Sequence, residues 1–161
     1  MPDGEEENLD YVPLSVDFQA VQKDSDGLEQ PLRFSCEGQF YRTDEAAVLL
    51  YRDPGDFGFS TTLNRVELYP DGGVKLVRTG EINMTLQLLE GEKSVTTLGV
   101  EGGQMTISLY AATVRHRVKD AAGSIDLTYV LDYGNSYTIE NKLRIDFKPA
   151  KNIDLPDIFE K

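Results

Sequence analysis

Alternation of apolar and polar residues with a period of two is the feature that most restricts what this chain can fold into. It is clearest between Ile125 and Phe147, where apolar side chains fill almost every second position on both sides of a "GNS" turn. Successive side chains of a strand point to opposite faces, so this pattern predicts strands with one buried face. No long window with helical spacing precedes the C-terminal tail. The chain is therefore predicted to be all-β.

The alternation divides the chain into about eight to ten strands, most of them separated by turns rich in glycine, asparagine and aspartate. Gly38 interrupts the second segment as a bulge or bend residue would, and the apolar parity of the long eighth segment switches near Ala111 and Ala112. The predicted strands are Leu14–Val21, Pro31–Arg42, Ala47–Arg52, Ser60–Leu68, Val74–Thr79, Ile82–Leu89, Ser94–Val100, Gln104–Lys119, Ile125–Tyr133 and Ile139–Phe147.

Sequential hairpins without a long crossover form a meander, and a meander of this size can remove both exposed edges by closing on itself. The prediction is a closed antiparallel up-and-down β-barrel, with a β-sandwich as the alternative. With 161 residues, the chain is expected to form one domain. We expect an acidic N-terminal segment at 1–12, the barrel at 13–149, and a tail at 150–161 whose apolar residues dock onto the body.

Charge and cysteine content restrict the partners and the compartment. The net charge is −12, and residues 1–10 hold five acids and no base, so nucleic acid and anionic membranes are poor partners. Cys36 is the only cysteine, which excludes an intrachain disulfide and favours the reducing cytoplasm. No apolar run approaches the roughly 20 residues that a membrane-spanning helix needs. We expect a soluble, cytoplasmic protein.

Four stretches carry a resemblance to a known family. They are "CEGQFY" at 36–41, "STTLNRVEL" at 60–68, "VKLVRTGEINMTLQLLEGE" at 74–92 and "GSIDLTYVLDYGNSYTIENKLRIDF" at 123–147. From Leu32 to Lys148 the chain resembles the YwiB-like family of uncharacterised bacterial proteins. The resemblance implies a lipocalin/calycin-like barrel and brings no established activity. This chain departs from the family at "TTLGVEGGQM", and it has no tryptophan for the Trp–Arg pair of lipocalins proper.

Arg78 places a guanidinium on the face that Val74 and Leu76 direct toward the barrel interior. A buried guanidinium has to be paired or hydrogen-bonded. Three interpretations stay open. It is a structural ion satisfied by Glu37, Glu81 or strand-end carbonyls, an anchor for a ligand carboxylate or phosphate, or an exposed turn residue.

Asn141 is a second polar residue on an inward face, between Ile139 and Leu143. It is expected to bond to a neighbouring backbone group or a trapped water. Inward-facing tyrosines could join it in a polar patch that orients a ligand, although such tyrosines are often core residues. The candidate ligand-binding residues are Arg78, Asn141, Tyr129, Tyr133 and Met84.

Nothing in the sequence assembles a catalytic or metal site. His116 is the only histidine, and it lacks the second histidine or the cysteines of a metal centre. Cys36 lies on an apolar face as an inert thiol would. The chain is expected to be a non-enzymatic binder of a small apolar or amphipathic molecule, with no cofactor. The alternative is a barrel whose core is filled by its own side chains and which acts as a protein-interaction or homo-oligomeric module, in the simplest case a homodimer.

Overall fold

The computed structural model describes residues 11–53, 62–80, 83–100 and 102–150, and this part of the chain forms a closed antiparallel barrel. Each strand pairs with the next along the chain, and the first pairs with the last, so the connectivity is that of an up-and-down meander. The strands are β1 (Val12–Asp24), β2 (Glu29–Arg42), β3 (Ala47–Arg52), β4 (Leu63–Leu68), β5 (Val74–Thr79), β6 (Asn83–Leu88), β7 (Lys93–Val100), β8 (Gly103–Lys119), β9 (Ala122–Gly134) and β10 (Tyr137–Pro149).

The predicted all-β closed barrel is confirmed, and closure excludes the sandwich. β3 and β5 have the predicted bounds, whereas β1 and β9 extend beyond theirs because their polar ends continue the pairing with neighbouring strands. Closure rests on the long β1–β10 ladder, in which Leu14 pairs with Pro149 and Asp24 with Ile139. The backbone N–H of Ala150 extends it by donating to the carbonyl of Pro13. Pairing both edges leaves no open sheet edge there.

Two local irregularities were predicted, and the structure confirms one of them. The β8–β9 register shifts between Ala111 and Thr113, which makes Ala112 the extra residue at the parity switch. Gly38 is no bulge, because it continues regular ladders with both Leu14 and Tyr51. Its lack of a side chain has another reason: a Cβ there would lie 2.6 Å from the carbonyl oxygen of Leu50, so only glycine permits this approach of the backbones.

One end of the barrel, where β1 begins and β10 ends, is filled by side chains, and we call it the closed end. Leu14, Phe40 and Phe147 are at most 4% exposed, and the rings of Phe40 and Phe147 stack with centroids 6.0 Å apart. Leu68 and Val74, which flank the β4–β5 turn, are buried beside them. This end therefore forms a close-packed apolar core.

β6 and β7 are joined by the shortest ladder in the described barrel, which pairs only Asn83 with Gly99 and Met84 with Leu98. The turn that follows β6 is hydrogen-bonded to the bulge of β8. The carbonyl of Ala111 accepts from Gly91, and the carboxylate of Glu90 accepts from the backbone N–H of Val114 at 3.0 Å. The turn thus satisfies backbone groups that the bulge frees.

Several expectations concern residues outside the described ranges. These are the acidic segment at 1–10, Glu81, and the docking of the tail at 151–161. The described part of the chain contains no helix long and apolar enough to cross a membrane.

Candidate functional site

At the end opposite the closed end, which we call the open end, the barrel encloses a cavity of about 330 Å³. It lies where β1, β3 and β5 finish and where β2, β4 and β10 begin. Its lining is mainly apolar and becomes polar at one side and at the rim. The lining residues are Phe18, Ala20, Gln22, Gln30, Pro31, Leu32, Phe34, Tyr51, Asp53, Asn64, Arg65, Val66, Leu76, Val77, Arg78, Tyr129, Asn141, Leu143 and Ile145.

Arg78 reaches into this cavity and is held by two side chains. Its Nη2 lies 2.7 Å from Oδ2 of Asp53, and its Nε donates to Oδ1 of Asn64 at 3.2 Å. Asn64 closes the triangle by donating from Nδ2 to Oδ1 of Asp53 at 2.7 Å. The Arg78 and Asp53 side chains are 30% and 17% exposed. The guanidinium is thus a paired ion with a fixed orientation at the cavity wall.

Of the two carboxylates predicted as partners of Arg78, Glu37 was wrong and Glu81 stays a prediction. Glu37 is exposed on the outer face of β2, and Glu81 lies outside the described residues. The counter-ion is Asp53, which follows the end of β3 and stands two positions after the inward-facing Tyr51. Arg78 therefore has a counter-ion in the barrel wall, as the structural-ion interpretation requires, and its guanidinium also lines the cavity.

Strand register explains how three sequence-distant residues meet. Tyr51 pairs with Asn64 across β3 and β4, and Asn64 pairs with Arg78 across β4 and β5. Directly paired residues in neighbouring strands project to the same face, which is here the interior. The ion pair, the amide and the tyrosine therefore form one polar stripe along the wall.

Two buried tyrosines supply hydroxyl groups to the cavity. Tyr51 is 6% exposed and Tyr129 is 7% exposed, and neither hydroxyl has a hydrogen-bond partner among the described residues. Burial raises the pKa of Tyr129 to about 12, with nearby Arg78 acting in the opposite direction. Burial also raises the pKa of Tyr51, and the Asp53 carboxylate adds to that effect. Both hydroxyls are therefore neutral groups that can donate and accept.

Aromatic rings form the wall on the β1–β3 side. The rings of Phe18 and Phe34 stack with centroids 4.7 Å apart and planes 13° apart. Tyr51 is tilted against both, at 6.4 Å from Phe18 and 6.5 Å from Phe34. Much of the remaining apolar lining is aliphatic, including Leu76, Leu143 and Ile145. The cavity wall next to the polar stripe is thus aromatic.

Asn141 lies in the cavity lining and is 5% exposed. Its Oδ1 accepts from Nε2 of Gln22 at 2.9 Å, and its Nδ2 donates to the carbonyl of Ile139 at 3.4 Å. The backbone bond was expected from the sequence, and the bond to a neighbouring side chain was not. This pair forms a second polar position, near the rim.

The structure brings together three of the five candidate ligand-binding residues, which are Arg78, Asn141 and Tyr129. Met84 pairs with Arg78 in register, yet it lines a separate, more exposed groove along β6 and β7. Tyr133 is the extra residue where the β9–β10 register shifts, and its ring contacts Tyr137 at 5.6 Å. Neither is part of the cavity lining.

Reactive groups elsewhere in the described chain have structural surroundings. Nε2 of His116 lies 3.2 Å from the carbonyl oxygen of Tyr69. Burial, with a contribution from the Asp53 charge, raises the pKa of the Cys36 thiol to about 11, so the nucleophilic thiolate is disfavoured. No group of three or more His, Cys, Asp or Glu side chains in the described ranges could hold a metal ion.

Sequence reasoning missed the residues that complete the site, namely Asp53, Asn64 and Tyr51, with the paired rings of Phe18 and Phe34. Asp53 directly follows the predicted strand Ala47–Arg52, and its spacing from Tyr51 was the available signal, since alternate positions share a face. Asn64 carried a similar signal, as a polar residue two positions before the inward-facing Val66. Strand register brings Asp53 and Asn64 to Arg78, and that register cannot be predicted from a single sequence.

Comparisons with known proteins give a family and a fold. Residues 16–145 match the family model described as "Domain of unknown function (DUF1934)". The chain is similar in structure to the ywiB protein from Bacillus subtilis, with a TM-score of 0.78 and 16% sequence identity over 91% of this chain and 99% of that one. No curated protein matches the chain. The structural likeness shows a shared barrel fold and leaves function to the chemistry of the cavity.

Proposed function

Since the chain belongs to the DUF1934 family, whose description assigns no activity, we propose from the cavity itself that the protein is a non-enzymatic binder of a small apolar or amphipathic molecule. One observation carries the proposal. The cavity at the open end, of about 330 Å³, has apolar walls with a few convergent polar groups, which is the usual composition of a small-molecule site.

The polar groups support binding more than catalysis. Arg78 is engaged by Asp53, and the lining contains neither the histidine nor the cysteine of the chain. A nucleophile with an adjacent base is the minimum for covalent catalysis, and the described lining residues offer no such pair. In contrast, the unpartnered hydroxyls of Tyr51 and Tyr129 are suited to hold the polar end of a ligand. Of the other predicted ligand residues, Asn141 lines the cavity, whereas Tyr133 and Met84 lie outside its lining.

The size of the barrel gives a physical reason for the cavity. Barrel diameter grows with strand number, and an interior of about eight strands is just wide enough for side chains to fill. This barrel has ten strands in its described part. The proposal includes a reducing, cytoplasmic location, which the presence of a single cysteine supports.

Binding can be tested with N-phenyl-1-naphthylamine, a neutral dye whose fluorescence rises in apolar cavities. The wild type is expected to bind it, and Ala20→Phe should weaken binding by about tenfold or more because the new ring fills the cavity next to Phe18. Val21→Phe is the matched control, since Val21 faces outward on the same strand. Equal binding by wild type and Ala20→Phe would place the dye elsewhere and contradict the proposal.

The alternative of an interaction or homo-oligomeric module has weaker support. Large exposed apolar side chains such as Val95 and Tyr110 stand on the outer face of β7 and β8, but most others are scattered over other strands and the connecting segments. Native mass spectrometry of protein purified under mild conditions distinguishes the two functions. A retained small molecule supports the binder, and a stable dimer without one supports the module.

A further inference from the structure

We propose that the cavity selects neutral, ring-containing molecules with a hydrogen-bond acceptor and discriminates against those with a free carboxylate or phosphate. This inference rests on the proposed binding function and names the class of ligand. It differs from the anion anchor that Arg78 alone suggests. The reason is the pair that Arg78 forms with Asp53.

The charges around the cavity cancel. Arg78 is neutralised by Asp53 at 2.7 Å, and Arg65, the remaining charged residue of the lining, pairs with Glu67 at the same distance. An incoming anion would therefore meet the Asp53 carboxylate about as closely as the guanidinium. The net charge of −12 on the whole chain adds a weak repulsion. Among the described lining residues, every positive charge is therefore paired with a carboxylate.

An anion could bind Arg78 well only by displacing Asp53. That exchange would leave the Asp53 carboxylate, which is 17% exposed, without its cation and with only the amide of Asn64. Removing one partner of a largely buried ion pair is costly. The amide bridge also fixes the guanidinium, because Nε and Nη2 are both engaged. The Asp53 pair therefore opposes anion binding.

The groups left over fit an uncharged acceptor. Nη1 of Arg78 has no hydrogen-bond partner among the described residues, and the hydroxyls of Tyr51 and Tyr129 are likewise unpartnered. An amide or carbonyl oxygen can accept from such donors without bringing a charge into the cavity. The ring of Phe18, which lines the cavity, and the tilted ring of Tyr51 beside it give the wall an aromatic surface that a ligand ring can contact.

Two naphthalenes of the same skeleton test the selection. 2-Naphthamide and 2-naphthoate differ in charge at pH 7.5, and each can be titrated by displacement of N-phenyl-1-naphthylamine. The amide is expected to bind the wild type about tenfold or more tightly than the carboxylate. Equal or tighter binding of 2-naphthoate by the wild type would overturn the charge selection, and failure of both to displace a bound dye would overturn the ring-containing class.

A gain of function provides the second arm. Asp53→Asn keeps the shape of the side chain and releases Arg78 from its counter-charge, so 2-naphthoate should gain about tenfold or more while 2-naphthamide changes less than about threefold. Asp126→Asn, an exposed site on β9, makes the same charge change and should move neither ligand. Unchanged 2-naphthoate affinity in folded Asp53→Asn would contradict the proposal. If Asp53→Asn does not fold, the wild-type comparison decides alone.

The experiments distinguish a failure of the binding function from a failure of the charge selection. Absence of binding by the dye and by both naphthalenes would remove the proposed function and this inference with it. Dye binding that Ala20→Phe abolishes, combined with a preference for 2-naphthoate, would keep the binding function and remove only the selection against anions.

Discussion

The two ends of the barrel are built by the same strands and yet differ in what fills them. Along β1, Leu14 and Val16 are fully buried at the closed end, Phe18 and Ala20 are partly buried farther along, and Gln22 is exposed at the rim of the open end. Alternation is kept throughout, so the fold is continuous. The difference lies in the size and polarity of the inward residues, and it separates a structural core from a cavity.

The comparison teaches that a barrel of this width fills only where large side chains converge. At the closed end, Phe40 and Phe147 stack across the interior beside buried aliphatic residues. At the open end the large inward residues are interspersed with an alanine, amides and an ion pair, such as Ala20, Asn64 and Asn141. Polar inward residues need partners within the wall, and satisfying them there leaves the middle empty.

The largest contrast in stability should come from truncating a leucine at each end. Leu14→Ala at the closed end is expected to lower the free energy of unfolding by about 2–5 kcal/mol, because Leu14 is fully buried and its loss leaves a cavity. Leu32→Ala in the cavity wall should cost less than about 1.5 kcal/mol, since its side chain already borders open space. Urea unfolding measures both values. Equal losses would show that the two ends are packed alike.

Replacing Arg78 tests whether the ion pair stabilises the open end. Arg78→Met leaves the Asp53 carboxylate with only the amide of Asn64 and removes the donor to Oδ1 of Asn64. We expect a loss of about 1–3 kcal/mol, reduced from the fully buried case by partial exposure. The double variant Arg78→Met/Asp53→Asn should recover part of that loss, because no carboxylate is then left unpaired.

The control for Arg78 is Arg144→Met. Arg144 contacts Asp126 and Asp146 on the outer face and is about half exposed, so its removal should have a much smaller effect in the same urea titration. An Arg78→Met variant as stable as Arg144→Met would mean that the pair in the cavity wall contributes little to folding.

The smallest expected effect is an alkaline loss of stability that depends on Tyr129. Its pKa is raised from 10.0 to about 12 in the folded protein, so the unfolded chain loses this proton first. The contribution is therefore fully present below pH 10 and is lost as the pH rises from 10 to 12, by about 1 kcal/mol at pH 11.

Tyr129→Phe should show a shallower fall in the free energy of unfolding between pH 9 and about pH 11, because the phenylalanine has no proton to lose. The measurement is a series of urea titrations on both proteins. A steeper fall in the variant, or identical slopes, would contradict the assignment of this hydroxyl to a neutral, buried position.

Most of the fold could be predicted from the chain, and only part of the site. The period-2 pattern gave the strand order, the bounds of β3 and β5, and the irregularity at Ala112. It also placed Arg78, Asn141 and Tyr129 on inward faces. It did not give the partners, because Asp53 and Asn64 reach Arg78 through pairing across three strands. Gly38 was misread for the same kind of reason, since the obstacle to a side chain there is a carbonyl on the next strand.

Side-chain alternation is a local property of each strand, so the chain alone was enough to predict an all-β meander with one apolar face. The folded barrel shows which inward residues meet: Arg78 is neutralised by Asp53, and the hydroxyls of Tyr51 and Tyr129 have no hydrogen-bond partner in the described part of the chain. Register and barrel circumference fix those distances, and both arise from the closure of ten strands in the described chain. Closure of the barrel thus places Arg78, paired with Asp53, in the wall of a cavity.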